Sequence, residues 1–314
     1  MIIVNVKGGI GNQLYQYALA RKIGMTCGCE VKLDIRSYRD YIFPHKFRLD
    51  VFNTVFEIAS EEEIDAVISR TVNLKNYRSL PPYRGKGIVS QGLRYLYRKL
   101  DERWPYRKSY WNEKQFSFDK RILSPADDTY LDGYWSKFGY FNDIRGVLLN
   151  EISLKRDLET PDYRLACEAI EKSNAVSIHV RRGYAKRPED LALFGVLPPT
   201  YYRQAIDRLR EEVPEPHFYV FSDDPAWAQE NLPLTDPCEF MNFGPEGDYL
   251  ELMLMSRCKH NIIANSTFSW WAAWLNPHEA KRVIFPRTWY AAKNYQKFFE
   301  KGYKIPPEWT GIGA

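Results

Sequence analysis

The sequence has no long apolar run and no strong excess of charge of either sign. None of its apolar stretches approaches the roughly 20 residues that cross a bilayer, and the opening MIIVNVKGG has no basic region before its short apolar run. We therefore expect a cytoplasmic protein, with peripheral contact at the inner face of a membrane as the alternative. The net charge of +4 is too small to indicate a nucleic-acid partner.

Cysteine and metal-binding motifs are also scarce. The five cysteines are scattered and odd in number, which does not indicate a disulfide framework. Cys27 and Cys29 are separated by one residue, which is the wrong spacing for a usual zinc knuckle. No DxD-like motif and no Asp/His cluster with metal spacing is evident. We expect free thiols in a reducing compartment and chemistry with neither metal nor cofactor.

The sequence does contain regular alternation of strand-like and helix-like segments. The first half opens with a strand at 2–6, a glycine turn, a helix to about residue 24 and a strand at 30–34. The second half has strand-like runs at 175–180, 217–222, 239–243, 261–265 and 283–286, and helical segments near 200–212, 225–231, 248–258 and 267–276. This alternation predicts parallel sheets flanked by helices. We predict an α/β protein of two Rossmann-like domains facing across a cleft, residues 1–155 and 156–314, with the C-terminal segment free to pack back on the first domain.

Residues 75–108 differ from the rest of the chain in charge. They carry ten Lys or Arg against Asp101 and Glu102. A solvated basic helix is the simpler interpretation. The alternative is attraction to anionic lipid or to a lipid-linked diphosphate.

Ligands of such folds bind outside the carboxyl ends of parallel strands, so the strand ends carry the functional predictions. After the first strand, GGIGNQ lets the backbone approach a ligand and opens a helix whose N–H groups suit an anion. Leu14 stands where the dinucleotide fingerprint GxGxxG requires its third glycine. The predicted ligand-contacting residues of this turn are Gly9, Gly11, Asn12 and Gln13.

The next strand ends in HVRRG. Because side chains alternate along a strand, His179 and Arg181 should point one way and Arg182 the other. A guanidinium can fork onto two phosphate oxygens. A salt-bridged arginine pair at a strand end is an equally good interpretation of this motif alone.

Two further strand ends complete the predicted site. In FSDD, Asp224 precedes a proline and should cap a helix, which leaves Ser222 and Asp223 for ligand, with Asp223 accepting from the edge of guanine. In NSTFS, a helix start with hydroxyls suits phosphate, although an ordinary cap has the same residues. Its predicted contacts are Asn265, Ser266 and Thr267. Together with His179, Arg181 and Arg182, these residues predict a nucleotide-diphosphate site.

These segments together resemble the family-11 glycosyltransferases, the bacterial α-1,2-fucosyltransferases. GGIGNQLYQYALA, YLDGYW, HVRRG, FSDD and NSTFSWWAAWL follow that family's motifs in its order, from residue 8 to about residue 275. The resemblance implies a GT-B type fold, GDP-fucose as donor, inversion at the anomeric carbon and no metal. It also implies an acceptor ending in galactose, as an oligosaccharide or a lipid-linked glycan, often of O-antigen.

One position departs from the family pattern. After HVRRG the family usually has Asp-Tyr, and this chain has Tyr184-Ala185. We expect Glu189 or Asp190 to replace that carboxylate as a brace, and the Tyr184 ring to pack on an arginine or on the sugar. Substitution of Arg182 is expected to abolish most transfer.

The expected chemistry is glycosyl transfer in which Arg181 or Arg182 stabilises the leaving diphosphate. Ser266, Thr267 and the backbone amides near Gly11 and Asn12 are expected to assist. Asp34, at the end of the second strand, is the candidate base, and a structural strand-end carboxylate is the alternative. Two other functions stay open. One is a nucleotide-sugar-binding relative without transfer activity, and the other is a nicotinamide-dependent oxidoreductase, which would leave HVRRG unexplained.

Overall fold

The chain forms two compact units. The computed structural model describes these residues: 1–39, 45–69, 106–107, 109–113, 118–301 and 304–313. The first unit spans residues 1–47 and 55–145, and the second spans residues 48–54 and 146–314. The sequence predicts a domain boundary at residue 155, whereas the two units divide after residue 145. The C-terminal segment, for which packing on the first domain was predicted as an option, belongs to the second unit.

The first unit contains a six-stranded sheet in the order β3-β2-β1-β6-β5-β4. Its strands pair in parallel except for β4 and β5, which are antiparallel. The described elements are β1 (Ile2–Asn5), α1 (Ile10–Cys27), β2 (Val31–Asp34), α2 (Arg36–Arg39), β3 (Glu57–Ile58), α3 (Glu61–Ser69), β4 (Tyr106–Arg107), β5 (Tyr110–Asn112) and β6 (Thr129–Asp132).

The second unit contains a fully parallel sheet in the order β12-β11-β10-β7-β8-β9. A helix, α4 (Arg145–Glu151), begins at the boundary between the units. The further elements are α5 (Pro161–Glu171), β7 (Asn174–Val180), α6 (Pro188–Phe194), α7 (Pro199–Glu212), β8 (Pro216–Ser222), α8 (Pro225–Asn231), β9 (Cys238–Met241), α9 (Asp248–Arg257), β10 (His260–Ile262), α10 (Thr267–Leu275), β11 (Val283–Pro286), α11 (Lys293–Lys301) and β12 (Thr310–Ile312).

Strand order fixes where a ligand can enter each sheet. In the second unit the chain starts at β7 in the middle, adds β8 and β9 on one side, and then crosses over to add β10, β11 and β12 on the other. The connections after β7 and β10 therefore leave in opposite directions. A crevice opens at such a switch point, and it is where doubly wound folds bind ligands. The first unit has the same kind of switch point between β1 and β6.

The core of the second unit explains why the strand ends are rigid. Alternate residues of β7, Val176, Ile178 and Val180, are fully buried against α7. Along α7, Tyr202, Ile206 and other apolar side chains form one buried face at helical spacing. Full burial of each such side chain contributes roughly 1.5–3 kcal/mol. The residues that follow β7 thus extend from a tightly held strand.

Most predicted elements of the second half are confirmed. Two 3-10 turns, Phe138–Tyr140 and Asn142–Ile144, lead into α4. The basic stretch 75–108 lies outside the described residues except for β4, so its lipid contact stays a prediction. Within the described part of the chain, no helix combines the length and the apolar character that a membrane crossing requires.

Candidate functional site

The turn after β7 is held by the carboxylate of Asp223. Its Oδ1 accepts the backbone N–H of Arg182 at 2.7 Å, and its Oδ2 accepts that of Gly183 at 2.8 Å. The same carboxylate forms an ion pair with Arg181 Nη1 at 2.9 Å. A Cβ built at Gly183 would lie 2.7 Å from Asp223 Oδ2, so any larger residue would break this contact. Asp223 fixes both the turn and one end of the Arg181 guanidinium.

This geometry bears on two predictions. Both oxygens of Asp223 accept from the HVRRG turn, and its contact with guanine stays a prediction. Glu189 and Asp190 were predicted to brace an arginine of that motif. Asp190 instead accepts a hydrogen bond from Arg187 Nε at 2.6 Å, and Glu189 is exposed in the first turn of α6. Asp223 is the brace, contributed by the neighbouring strand.

The two arginines have different surroundings, as the alternation along β7 predicts. The Arg182 guanidinium lies 4.1 Å from the ring centroid of Trp227 in α8, and its Nε is 3.5 Å from Asp224. The Arg181 guanidinium lies 5.3 Å from the ring centroid of Tyr184. Arg182 therefore covers a helix, whereas Arg181 lies beside the loop that follows the strand.

His179 is buried on the same side of the strand as Arg181. Its ring lies 5.3 Å from that of Phe268, in the first turn of α10. The pKa of His179 is lowered to about 3, chiefly by burial; the Asp223 charge acts to raise it, and the Arg181 charge acts to lower it. His179 is thus neutral at physiological pH. Its position places Arg181 on the side of the sheet where α10 begins.

The segment between β10 and α10 forms the other wall of the switch point. Asn265 Nδ2 donates to the carbonyl of Phe194 at 2.9 Å and to that of Trp289 at 3.2 Å. Ser266 caps α10 by accepting the N–H of Phe268 at 3.3 Å. The first turn of any α-helix leaves N–H groups without partners inside the helix. Asn265 therefore ties the loops after β7 and β11 to the start of α10.

Four buried polar atoms of these residues have no hydrogen-bond partner within the described part of the chain. They are His179 Nδ1, Arg181 Nε, Arg182 Nε and Asn265 Oδ1. Leaving such a group unsatisfied costs about 1–3 kcal/mol, so native proteins rarely do so without a reason. His179 lies near the end of β7, and the two arginines follow that strand. Asn265 follows β10, and β7 and β10 flank the switch point. A bound molecule that offers both acceptors and a donor would satisfy them.

Tyr184 forms an aromatic wall beside Arg181. Its ring stacks on Phe194 with centroids 4.4 Å apart, and Phe194 in turn lies 5.6 Å from Tyr290. Burial raises the pKa of Tyr184, so its phenol stays neutral. The predicted packing of this ring against an arginine is confirmed. No carboxylate occupies this position, and the wall is aromatic instead.

The remaining FSDD and NSTFS residues act locally. Asp224 caps α8 by accepting the N–H of Trp227 at 3.3 Å, as predicted. Ser222 Oγ accepts the N–H of Asp224 at 3.0 Å and so stabilises the same turn. Thr267 is the first residue of α10, half-buried at the switch point.

Two tyrosines that the sequence did not single out hold the strand ends. Tyr201 OH donates to the carbonyl of Ile263 at 2.6 Å, and Tyr202 OH donates to that of His179 at 3.3 Å. Both belong to α7 and are fully buried. They satisfy carbonyls at the ends of β10 and β7, where the two strands part. The adjacent tyrosines of PPTYYRQ on an apolar helix face are the signal, but spacing alone does not separate this role from packing.

The glycine turn of the first unit is built for close packing. Gly8 has φ +83, and a Cβ there would meet the Asn12 side chain. Gly9 is the residue before α1, and Gly11 is buried within its first turn. Gln13 is buried and donates to the carbonyls of Gly8 and Lys46 at 3.1 and 2.8 Å. Its predicted ligand contact is therefore replaced by a structural one.

Asp34 is also structural. Its buried carboxylate pairs with Arg36 through Nη2 at 2.8 Å and accepts a hydrogen bond from Tyr130 OH at 2.7 Å. The backbone N–H of Arg36 donates to it as well. A base must have a lone pair directed at its substrate. Asp34 is engaged on both oxygens, which favours its structural alternative, and its role as the base stays a prediction.

Within the described ranges, no group of three or more His, Cys, Asp or Glu side chains is arranged to hold a metal ion. The cysteines of the chain are all free thiols.

The fold is similar to that of a solved glycosyltransferase. Fucosyltransferase NodZ from Bradyrhizobium matches 88% of this chain and 93% of its own at a TM-score of 0.51 and 13% identity. Such an identity speaks for the fold alone. Together with the two α/β units, it makes the fold one of GT-B type.

Relatives with known names are similar over nearly the whole length. The O-antigen biosynthesis glycosyltransferase WbnK of Escherichia coli is 34% identical over 93% of this chain and 96% of its own. An α-1,2-colitosyltransferase of Escherichia coli is 28% identical over 99% of each chain. The model of glycosyl transferase family 11 matches residues 1–313. The chain belongs to glycosyltransferase family 11.

Proposed function

We propose that this protein is an inverting α-1,2-fucosyltransferase. It moves L-fucose from GDP-fucose to the 2-hydroxyl of a terminal galactose, in an oligosaccharide or a lipid-linked glycan of O-antigen type, and it needs no metal. Its family supports a glycosyl transfer, and the names of its two relatives support an O-antigen glycan and an α-1,2 linkage.

The observation that carries the proposal is the set of polar atoms without a hydrogen-bond partner at the switch point of the second sheet. Arg181 Nε is a donor, which suits a phosphate oxygen, whereas Arg182 Nε lies 3.5 Å from Asp224 in an ion pair. Asn265 Oδ1 is an acceptor, which requires a hydroxyl or an N–H from the ligand. His179 Nδ1 is neutral and can serve either way. A nucleotide sugar carries both an anion and hydroxyls, so it can match the donors and the acceptor together.

Arg181 is our choice for the catalytic contact, and Arg182 for the brace. Arg182 packs on Trp227 and lies near the helix-capping Asp224, so its guanidinium is held against α8. Arg181 shares the side of His179 and of the α10 start. This reverses the emphasis drawn from the sequence, which favoured Arg182.

The chemical step would rely on charge stabilisation. As the bond from fucose C1 to the diphosphate oxygen breaks, negative charge grows on the β-phosphate. Arg181 and the N–H groups of the first turn of α10 would meet that charge. Each preorganised donor of this kind lowers the activation barrier by about 3–4 kcal/mol. Asp223 keeps Arg181 in place at no cost of reorganisation during the reaction.

A second donor deserves a place in the same test. Colitose is fucose without its 3-hydroxyl, and one relative is named for its transfer. The wall beside Arg181 is aromatic, with Tyr184 stacked on Phe194. An apolar wall favours a sugar that presents a C–H where fucose presents a hydroxyl. GDP-colitose is therefore the alternative donor.

The test offers GDP-fucose, GDP-colitose, UDP-galactose and NADH in parallel with a β-galactoside, each with and without EDTA, and measures the GDP, UDP or NAD⁺ that each would form. We expect turnover with a GDP-6-deoxysugar only, unchanged by EDTA. Activity that EDTA abolishes and Mg²⁺ restores would contradict the metal-free step. GDP-fucose that binds without any transfer would make the protein a binding relative.

A further inference from the structure

Tyr134 is an exposed aromatic residue at a position where a ligand is expected. It lies two residues after β6, whose neighbour β1 forms the switch point of the first sheet. Its relative exposure is 40%, which is unusual because most large rings among the described residues are buried or half-buried. Nothing in the proposed donor chemistry uses this residue. Tyr134 therefore needs an explanation of its own.

The turn that carries Tyr134 is rigid. The carboxylate of Glu113 accepts the backbone N–H groups of Tyr134 and Trp135 at 2.8 and 3.0 Å, and the ammonium of Lys137 at 2.9 Å. Burial acts to raise the pKa of Glu113, but Lys137 and the two amides bring it below its ordinary value. The carboxylate thus stays charged and keeps its grip on the turn.

Backbone strain in the same turn confirms that its shape is imposed by the fold. Trp135 is fully buried and has φ +52, a left-handed conformation that is costly for a bulky residue. A Cβ at Gly133 would lie 2.8 Å from the Trp135 ring, so only glycine fits there. Such strain persists where the surroundings overdetermine a conformation, and it clusters at ligand sites. The result here is an aromatic ring held in a fixed pose at a sheet edge.

A cation lies over this ring. Lys7, which follows β1, has its Nζ 5.3 Å from the Tyr134 centroid. The same Nζ is 2.5 Å from Oδ1 of Asp132, a buried carboxylate that also accepts from Asn5 and Tyr110. An ammonium has three N–H donors, and this ion pair uses one of them. Lys7 is anchored by one donor and has others to offer to hydroxyl oxygens.

We infer that Tyr134 and Lys7 form a binding subsite for the pyranose ring of the acceptor glycan. This deepens the proposed function and rests on it. A galactose ring has one face made largely of C–H groups, which suits an aromatic platform, and hydroxyls at its edge, which suit an ammonium. Asp132 and Asp34 are both fully engaged, so the subsite binds the sugar and does not supply its base.

The experiment varies the ring and measures the acceptor. Tyr134→Ala and Tyr134→Leu remove the aromatic face, while Tyr134→Trp keeps it. Met25→Ala is the matched control, since Met25 is an equally exposed apolar residue (47%) of the same unit at the far end of α1. Steady-state transfer gives KM for a β-galactoside and, separately, for the nucleotide sugar. Ligand-observed NMR with methyl β-galactoside measures binding without any donor.

We expect Tyr134→Ala and Tyr134→Leu to raise the acceptor KM about tenfold, the size of a lost aromatic contact, while the donor KM stays unchanged. Tyr134→Trp and Met25→Ala should keep the acceptor KM near that of the unmodified protein. An unchanged acceptor KM in both ring-deleting variants would overturn the subsite. So would an increase in the donor KM alone, because the platform would then hold the nucleotide.

The NMR measurement separates this inference from the proposed function. If no nucleotide sugar is turned over, the proposed function fails, yet loss of the galactoside signal in Tyr134→Ala would still support the subsite. A galactoside signal equal in all variants would reject the subsite even where transfer is active.

Discussion

Replacing Asp223 by asparagine tests how the HVRRG turn is organised. The carboxylate accepts from two backbone N–H groups and from the Arg181 guanidinium. Asparagine has the same shape but only one acceptor oxygen, so in either orientation its NH₂ group faces a donor. The turn loosens, and Arg181 loses the charge that holds it.

The magnitude follows from these contacts. A hydrogen bond to a charged group contributes about 1.5–3 kcal/mol. The Asp223 side chain is 24% exposed, so solvent weakens the interaction and the lower end of that range applies. A loss of about 1.5 kcal/mol corresponds to roughly tenfold weaker binding of GDP. Because Arg181 also stabilises the leaving group, kcat should fall along with affinity.

The assay is calorimetric titration with GDP and with IDP, which lacks the 2-amino group of guanine. If Asp223 positions Arg181 for the diphosphate, which GDP and IDP share, Asp223→Asn should weaken the binding of both nucleotides by the same factor. If Asp223 instead accepts from the 2-amino group of guanine, the unmodified protein should bind GDP more tightly than IDP, and the variant should lose this preference. That selective loss would refute the brace and support the prediction made from the sequence. The matched control is Asp236→Asn, which removes a carboxylate that pairs with Arg210 and not with the HVRRG turn.

Two further predictions concern the other walls of the site. Asn265→Ala should weaken GDP-fucose binding about tenfold, because it removes an acceptor and the hydrogen bond to the Phe194 carbonyl. The control Asn231→Ala, at the end of α8, should leave binding unchanged. If both variants bind GDP-fucose equally well, Asn265 does not belong to the site. His179 has an ordinary pKa of 6.5 and a folded pKa of about 3, so the unfolded state takes up its proton first and stability falls as pH drops between these values. The loss in the free energy of unfolding is at most about 5 kcal/mol. Measured by urea unfolding between about pH 7 and pH 4, this free energy should fall less steeply with decreasing pH in His179→Gln than in the unmodified protein. The same pH dependence in both proteins would mean that His179 titrates normally.

The general form of the fold could be predicted because its pattern is local. The strands β7 and β8 are evident from their apolar runs, and the helix α7 is evident from its amphipathic spacing. The alternation of side chains along a strand correctly predicted that His179 and Arg182 have different surroundings. The cap of α8 also follows from neighbouring residues, Asp224 and the proline after it.

The errors arise where the deciding contact is distant in sequence. Asp223 was expected to be free because its partners lie about forty residues earlier, on a neighbouring strand. Asp34 pairs with Arg36 two residues later, and Tyr130, 96 residues away, donates to the same carboxylate. The same holds for Tyr201, whose hydroxyl satisfies a carbonyl 62 residues later. Spacing cannot reveal such partners, because sheet topology alone brings them together.

Fucosyl transfer with inversion can be checked on the product of a single reaction. The protein is incubated with GDP-fucose and a β-galactoside, and the purified product is examined by NMR for its linkage and anomeric configuration. We expect an α-L-fucosyl residue on the galactose 2-hydroxyl, formed with inversion from the β-linked donor. A β-linked product, a linkage to another hydroxyl, or free fucose as the only product would contradict this expectation.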